Sequence, residues 1–273
     1  MFEARSSRNP LINALHILEL IYHGTVRNLR MSHGNAIIGL LRNLVQSLIF
    51  VMVFYIMFIW LNLRSAAVRG DFLLYVMSGV FLFMTHTKAL GAIVGAEGSS
   101  SPMMQHSPMN TAISITSAAL ASLYLQVLSM LVILGGYYAI FTPFVIMDPV
   151  RAFGMFLVAW FSGCAVGMVF MAAKPWAPGF IGIASSLYQR ANMIASGKMF
   201  LANTLPPSRL VMFSWNPLFH SIDQGRGYIF LNYDPINSSL MYPIYLSIAL
   251  IMIGLMGEFY TRKHVSQSWG AKR

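Results

Sequence analysis

An all-α, polytopic membrane protein is the fold class this sequence predicts, and three observations predict it. Of its 273 residues 57% are hydrophobic, whereas a water-soluble domain runs near ~45–50%. Only 10% are charged, against about a quarter in a soluble domain. The apolar residues also gather into six runs of about 20, the length an α-helix needs to cross the hydrocarbon core. With a mean hydropathy of +0.64, an ordinary soluble enzyme, a disordered chain and a small disulfide scaffold are excluded. The single cysteine, Cys164, lies inside an apolar run and allows no intrachain disulfide.

The elements follow in chain order. Residues 1–42 form a cytoplasmic N-terminus, with no secretory leader expected. Within it Leu11, Leu15, Leu18, Tyr22, Val26 and Leu29 recur at helical spacing, interrupted by Glu19, His23, Arg27 and Arg30. Segment 10–31 is too polar to span, and this pattern predicts an amphipathic helix in the headgroup region. A helix packed in the cytosol is the alternative. Residues 43–260 make the six-span domain, with spans over 43–61, 72–90, 113–141, 152–173, 178–196 and 241–260. The third is long enough to tilt or project. The fifth carries Gln189, Arg190 and Asn192 and is the least apolar. Gly70, Pro102, Pro108, Pro143, Pro149, Pro175 and Pro178 mark boundaries. Residues 197–240 are too polar to cross and too apolar for a solvated loop, which predicts short re-entrant or interfacial helices on the outer face. Residues 261–273 form a second cytoplasmic tail.

A net charge of +10 invites a nucleic-acid reading, but the placement of the charges argues against it. If both termini are cytoplasmic, the inner segments hold Arg5, Arg8, Arg27, Arg30, Arg42, Lys174, Arg262, Lys263, Lys272 and Arg273. The outer loops hold Arg64, Arg69, Arg151, Lys198, Arg209 and Arg226. That excess follows the retention of Lys and Arg on the cytoplasmic side, so membrane lipid rather than nucleic acid is the expected partner.

Much chemistry is missing. No Gly-rich loop ends in Gly-Lys-Ser/Thr, so the chain does not cradle ATP phosphates itself. The histidines form no HExxH pair, and one cysteine cannot build a zinc site, so no metal site is expected. None of the eight acidic residues lies clearly mid-span, against a proton relay built on buried Asp or Glu. No catalytic residue is predicted. Arg190 is the informative exception: a cation within a span usually faces a cavity or a partner, and contact with an anionic group of a cargo is the functional reading. Snorkelling or a structural pair is the other. Lys88, nearer the inner end, is expected to snorkel. Phe50, Phe54 and Phe58 share one stripe with Tyr55 beside it, readable as packed core, as a lipid-facing face, or as a stacking surface for sugar rings lining a cargo path. Trp60, Tyr228 and Tyr233 suit an interfacial belt.

One stretch carries a resemblance. Trp215-Asn216-Pro217-Leu218-Phe219-His220, followed by Asp223 and Arg226 and a last span ending Tyr260-Thr261-Arg262, resembles the permease subunits of polysaccharide ABC exporters, the capsular-polysaccharide export type above all. Val26-Arg27-Asn28-Leu29-Arg30 looks like that family's basic patch before span one. Gly91-Ala92-Ile93, Glu97, Pro102 and Pro108 look like its inner loop. Ser196-Gly197-Lys198-Met199-Phe200 and Leu205-Pro206 resemble its turn after span five, where the family places short periplasmic helices. The resemblance implies a homodimer in the bacterial inner membrane, bound to two separate ATP-binding subunits that carry the ATP and Mg. It implies lipid-linked polysaccharide as cargo, with periplasmic and outer-membrane export proteins beyond. A cytoplasmic loop over 98–110, with Glu97, Ser100, Pro102, His106 and Pro108, would dock on the ATPase. Spans one and five would line the cargo path. Neighbouring alternatives are a permease for O-antigen, teichoic acid, a lipid or a small hydrophobic drug, and a membrane scaffold or enzyme without transport.

Overall fold

The computed structural model describes residues 10–31, 36–61, 71–96, 98, 110–141 and 143–264. Among these it is all-helical: α1 (Pro10–Met31), α2 (Ala36–Trp60), α3 (Phe72–Gly95), α4 (Thr111–Ile140), α5 (Pro149–Ala173), α6 (Pro178–Ala195), a 3₁₀ turn (Ala202–Thr204), α7 (Pro207–Phe213), α8 (Pro217–Ile229) and α9 (Met241–His264). Side chains set the helix starts. Asp71 Oδ1 accepts from the backbone N–H groups of Leu73 and Leu74 at 2.9 and 3.4 Å. Asn110 does the same for Ala112 at 3.3 Å, and Asp148 for Arg151 at 3.0 Å. Each satisfies a donor that the first turn leaves orphaned. Pro149, Pro178, Pro207 and Pro217 stand in the first turns of α5, α6, α7 and α8, where a missing N–H costs nothing.

Five helices, α2, α3, α4, α5 and α9, are long and apolar enough to cross a membrane. Helix α6 forms where the sequence predicts the fifth span, but its polar residues leave it outside that set. The core is centred on α3, whose most apolar stretch is 83% buried. It packs most closely against α5. Gly163 makes that possible, since a Cβ there would come within 2.3 Å of the His86 carbonyl oxygen.

Pairings at the two ends of the bundle fix the direction of each helix. At one end Tyr137 of α4 donates to Asp71 Oδ2 at 2.5 Å, and Phe58 of α2 meets Phe72 and Tyr75 edge-on. The backbone N–H groups of Met147 and Asp148 donate to the last carbonyls of α8. At the other end Lys174 Nζ donates to the Val94 carbonyl at 2.9 Å, and Trp176 Nε1 to Thr261 Oγ1 at 2.9 Å. Helix α6 begins beside Trp176 and finishes beside α8, so it runs the full length of the bundle. Helix α1 lies along α4, joined where Ser117 Oγ donates to the Ile21 carbonyl at 3.1 Å. Leu15, Leu18 and Tyr22 stay uncovered by protein.

Candidate functional site

A groove opens between α2, α3 and α6, with a volume of about 390 Å³. Gln46 and Phe50 come from α2, Phe83, Thr87, Lys88 and Gly91 from α3, and Gln189, Arg190 and Met193 from α6. The Lys88 ammonium donates to Gln46 Oε1 at 2.6 Å. Lys88 is therefore a wall residue tied across two helices, not the snorkelling residue expected. Arg190 lies on the opposite wall and is exposed to the groove. Two cations and two amides line this space, and no carboxylate joins them among the described residues. Such a wall attracts an anion.

Of the aromatic stripe, only Phe50 reaches the groove, where it stacks on Phe83 with ring centroids 6.2 Å apart. Phe54 and Phe58 are buried in the chain's own core, and Tyr55 leans on Phe72. The stacking surface expected of Phe54, Tyr55 and Phe58 is thus packing instead. They face inward because α3 presents Phe72, Tyr75 and Phe83 to them.

Behind the groove, α6 is held to the core by His86. Ser162 Oγ donates to the Ala159 carbonyl at 2.9 Å and lies 2.9 Å from His86 Nδ1. With that hydroxyl proton committed, His86 donates from Nδ1 and accepts at Nε2 from the Tyr188 hydroxyl, 3.2 Å away.

The Trp215–Arg226 motif builds a cap over the α3 start. Asn216 caps α8, its Oδ1 accepting from the Leu218 N–H at 3.0 Å, while Nδ2 donates to Asn192 Oδ1 at 2.7 Å. Pro217 takes the first helical position, so the chain turns into α8 there. Trp215 is 55% exposed and its carbonyl accepts from the Tyr242 hydroxyl at 2.7 Å. His220 Nε2 donates to the Ser214 carbonyl at 2.7 Å, and Nδ1 accepts from the Ser239 N–H at 3.0 Å. These bonds tie α8 to the start of α9. Burial pushes the imidazole below its ordinary value, against the opposing pull of the Ser214 bond and the Asp223 charge.

Asp223 and Arg226 share α8, and although three residues apart on a helix is a spacing that permits a pair, each bonds to other segments instead. Asp223 accepts from the Ala202 N–H at 3.2 Å, from Ser238 Oγ at 2.7 Å and from the Tyr233 hydroxyl. Burial first, then the Asp223 charge, pushes the Tyr233 phenol well up. Arg226, 1% exposed, donates to the carbonyls of Gly197 and Phe200 at 2.8 Å each and of Lys198 at 2.5 Å. Its guanidinium lies 4.1 Å from the centre of the Tyr75 ring. This bends residues 197–200 back on α8, and Gly197 supplies the needed φ of +75°.

Sequence reasoning missed Lys198. Its ammonium sits 3.5 Å from the Phe83 ring centre and 4.3 Å from that of Phe54. Burial pushes its pKa down to about 7, while the two ring faces favour its charge. Nothing local signals this, because its partners come from α2 and α3. Of the expected docking loop, Glu97, Ser100, Pro102, His106 and Pro108 lie outside the described residues. No family model matches this chain, and a search of the curated proteins finds no match.

Proposed function

We propose that this chain is the transmembrane subunit of an ATP-driven exporter that moves lipid-linked polysaccharide across the bacterial inner membrane, as a homodimer with two separate ATPase subunits. The observation that carries the reading is the groove between α2, α3 and α6, with Arg190 and Lys88 in its walls and no carboxylate among its described lining residues. Many glycans and their lipid linkers carry phosphate or carboxylate. A guanidinium binds either through paired hydrogen bonds, and an exposed one does so weakly enough to let a polymer move on.

Further support comes from the frame. Helix α6 runs from the Trp176 end of the bundle to the cap, which favours six crossings, both termini cytoplasmic and a cap on the outer face. The uncovered Leu15, Leu18 and Tyr22 of α1 suit a helix lying at the inner membrane surface. Phosphate-binding machinery must come from a partner, since the sequence holds no phosphate-binding loop. The purified chain alone should hydrolyse no ATP.

The test is export of surface glycan from cells carrying the chain with its ATPase. Deletion should leave glycan inside the cell. Arg190→Lys should keep partial export, and Arg190→Ala should lose most of it while the dimer still assembles. Export by Arg190→Ala at the wild-type rate would remove the cargo contact. Glycan export unaffected by deletion, with ATPase activity stimulated by small amphiphiles, would point to a drug or lipid permease instead.

A further inference from the structure

A second cavity, of about 580 Å³, adjoins the first, shares Gln46, Lys88, Gly91 and Ala92 with it, and extends between α1, α2, α3 and α4. Its walls hold the cations of Arg42 and Lys88 and the amides of Asn28, Asn43, Gln46 and Gln126, with no carboxylate among the described lining residues. The amides are set in place by packing. Gln126 Nε2 donates to Asn43 Oδ1 at 3.0 Å, and Asn43 Nδ2 to Ser129 Oγ at 2.8 Å. Lys88 has three donors, and Gln46 Oε1 is its acceptor among the described residues. Both cations line one polar space, and each attracts an anion placed there.

The cavity does not end at Arg42. Arg42 and Gln46 also line an apolar groove on the outer face of α2, floored by Ile38, Leu41, Val45 and Ile49. Those four side chains are exposed, so hydrocarbon can lie along them. A polar, cationic chamber thus opens through two shared residues onto an apolar channel. That is the shape of a ligand with an anionic head and an acyl tail.

We propose that this composite cavity is a binding site for an anionic phospholipid of the bilayer, its phosphate between Arg42 and Lys88 and one acyl chain along the α2 face. The amides and Ser122 receive the hydroxyls or glycerol oxygens of the headgroup. The site shares Gln46, Lys88 and Gly91 with the groove of the transport reading, but lipid binding to the purified chain is measured apart from glycan export, so either reading can fail alone. A soluble phosphate ester satisfies the chamber alone, whereas the lipid uses chamber and channel together.

The experiment uses the full chain purified in a neutral maltoside detergent. Binding is read by native mass spectrometry and by the shift in melting temperature. Dioctanoyl phosphatidylglycerol should bind one per chain and raise the melting temperature. Dioctanoyl phosphatidylcholine should bind about tenfold more weakly, having lost the net negative charge. Glycerol 3-phosphate at the same concentration should give no shift. Arg42→Gln and Lys88→Gln should each weaken phosphatidylglycerol binding about tenfold, while Arg209→Gln, the same charge change on an exposed cap residue, should not. Should either cavity variant fail to fold, Gly91→Leu gives the answer. A Cβ at Gly91 meets nothing within 4 Å, so a leucine there starts from open space, takes up room in the chamber and should abolish binding. Equal binding of the two lipids, an equal shift from glycerol 3-phosphate, or retained binding in the folded Arg42, Lys88 or Gly91 variants would overturn the proposal.

Discussion

A guanidinium carries five donors in a fixed plane, and Arg226 directs three hydrogen bonds to the carbonyls of Gly197, Lys198 and Phe200 with its face against Tyr75. Lysine keeps the charge but offers neither the fork nor the flat face. Arg226→Lys should therefore cost about 3 kcal/mol through carbonyls left unpaired in a buried site. A melting temperature within a degree or two of wild type would contradict it. His220 makes a pH-dependent contribution to the same cap. Its imidazole is held below the ordinary value of 6.5 by burial, so the folded state refuses a proton that the unfolded state accepts. That contribution is complete above the unfolded value and is lost as pH falls through it toward the depressed folded one. Between about pH 7.5 and pH 5 the wild type should lose more thermal stability than His220→Gln, because the variant has no such proton to refuse. Parallel curves for the two would show that the cap does not depend on the neutral imidazole.

Among the elements, α6 has the loosest hold. It buries only Ser185 and Asn192 fully, and its polar ties to the body include Tyr188 to His86 and Asn216 to Asn192. Tyr188→Phe removes one tie and almost no volume. Amide exchange across 182–195 should rise about tenfold, as expected from losing one buried hydrogen bond, while α3 stays protected. Unchanged exchange would mean that packing alone holds the helix. The boundaries at Pro149 and Pro178 were legible because proline's signal is local, and the caps at Asp71, Asn110, Asp148 and Asn216 are equally local signals that the structure brings out. The facing of the Phe50 stripe was not. Phe50, Phe54 and Phe58 share one side of α2, and only the neighbours that α3 supplies decide that Phe54 and Phe58 are core while Phe50 reaches the groove. The partners of Asp223 and Arg226 were hidden for a related reason. Three residues apart permits a pair, but in a buried cap each group finds better partners in other segments, the loop carbonyls for one and Tyr233 and Ser238 for the other.

At the scale of the whole molecule α6 decides how often the chain crosses the membrane. Among the described residues hydropathy counts five crossing helices, since Gln189, Arg190 and Asn192 dilute α6. The proposed six crossings rest on the placement of α6. Helix α6 leaves Trp176, which is bonded to Thr261 near the end of α9, and reaches Asn192, which is bonded to Asn216 under the cap. Its 18 residues span about 27 Å at 1.5 Å per residue, close to the thickness of the hydrocarbon core. A helix lining a polar groove needs no continuous apolar surface, so low hydropathy is what this position selects. Cysteine labelling separates the two counts in a Cys164→Ala background. With six crossings Asn237→Cys, exposed on the cap, should react with an impermeant maleimide in intact cells, whereas Glu19→Cys and His264→Cys should react only after permeabilisation. With five, α6 stays on the inner side, the cap becomes cytoplasmic, and α9 carries its end outward. His264→Cys would then label in intact cells and Asn237→Cys would not. That reversed pattern would place the cap away from the outer face and strip the proposed export path of its α6 wall.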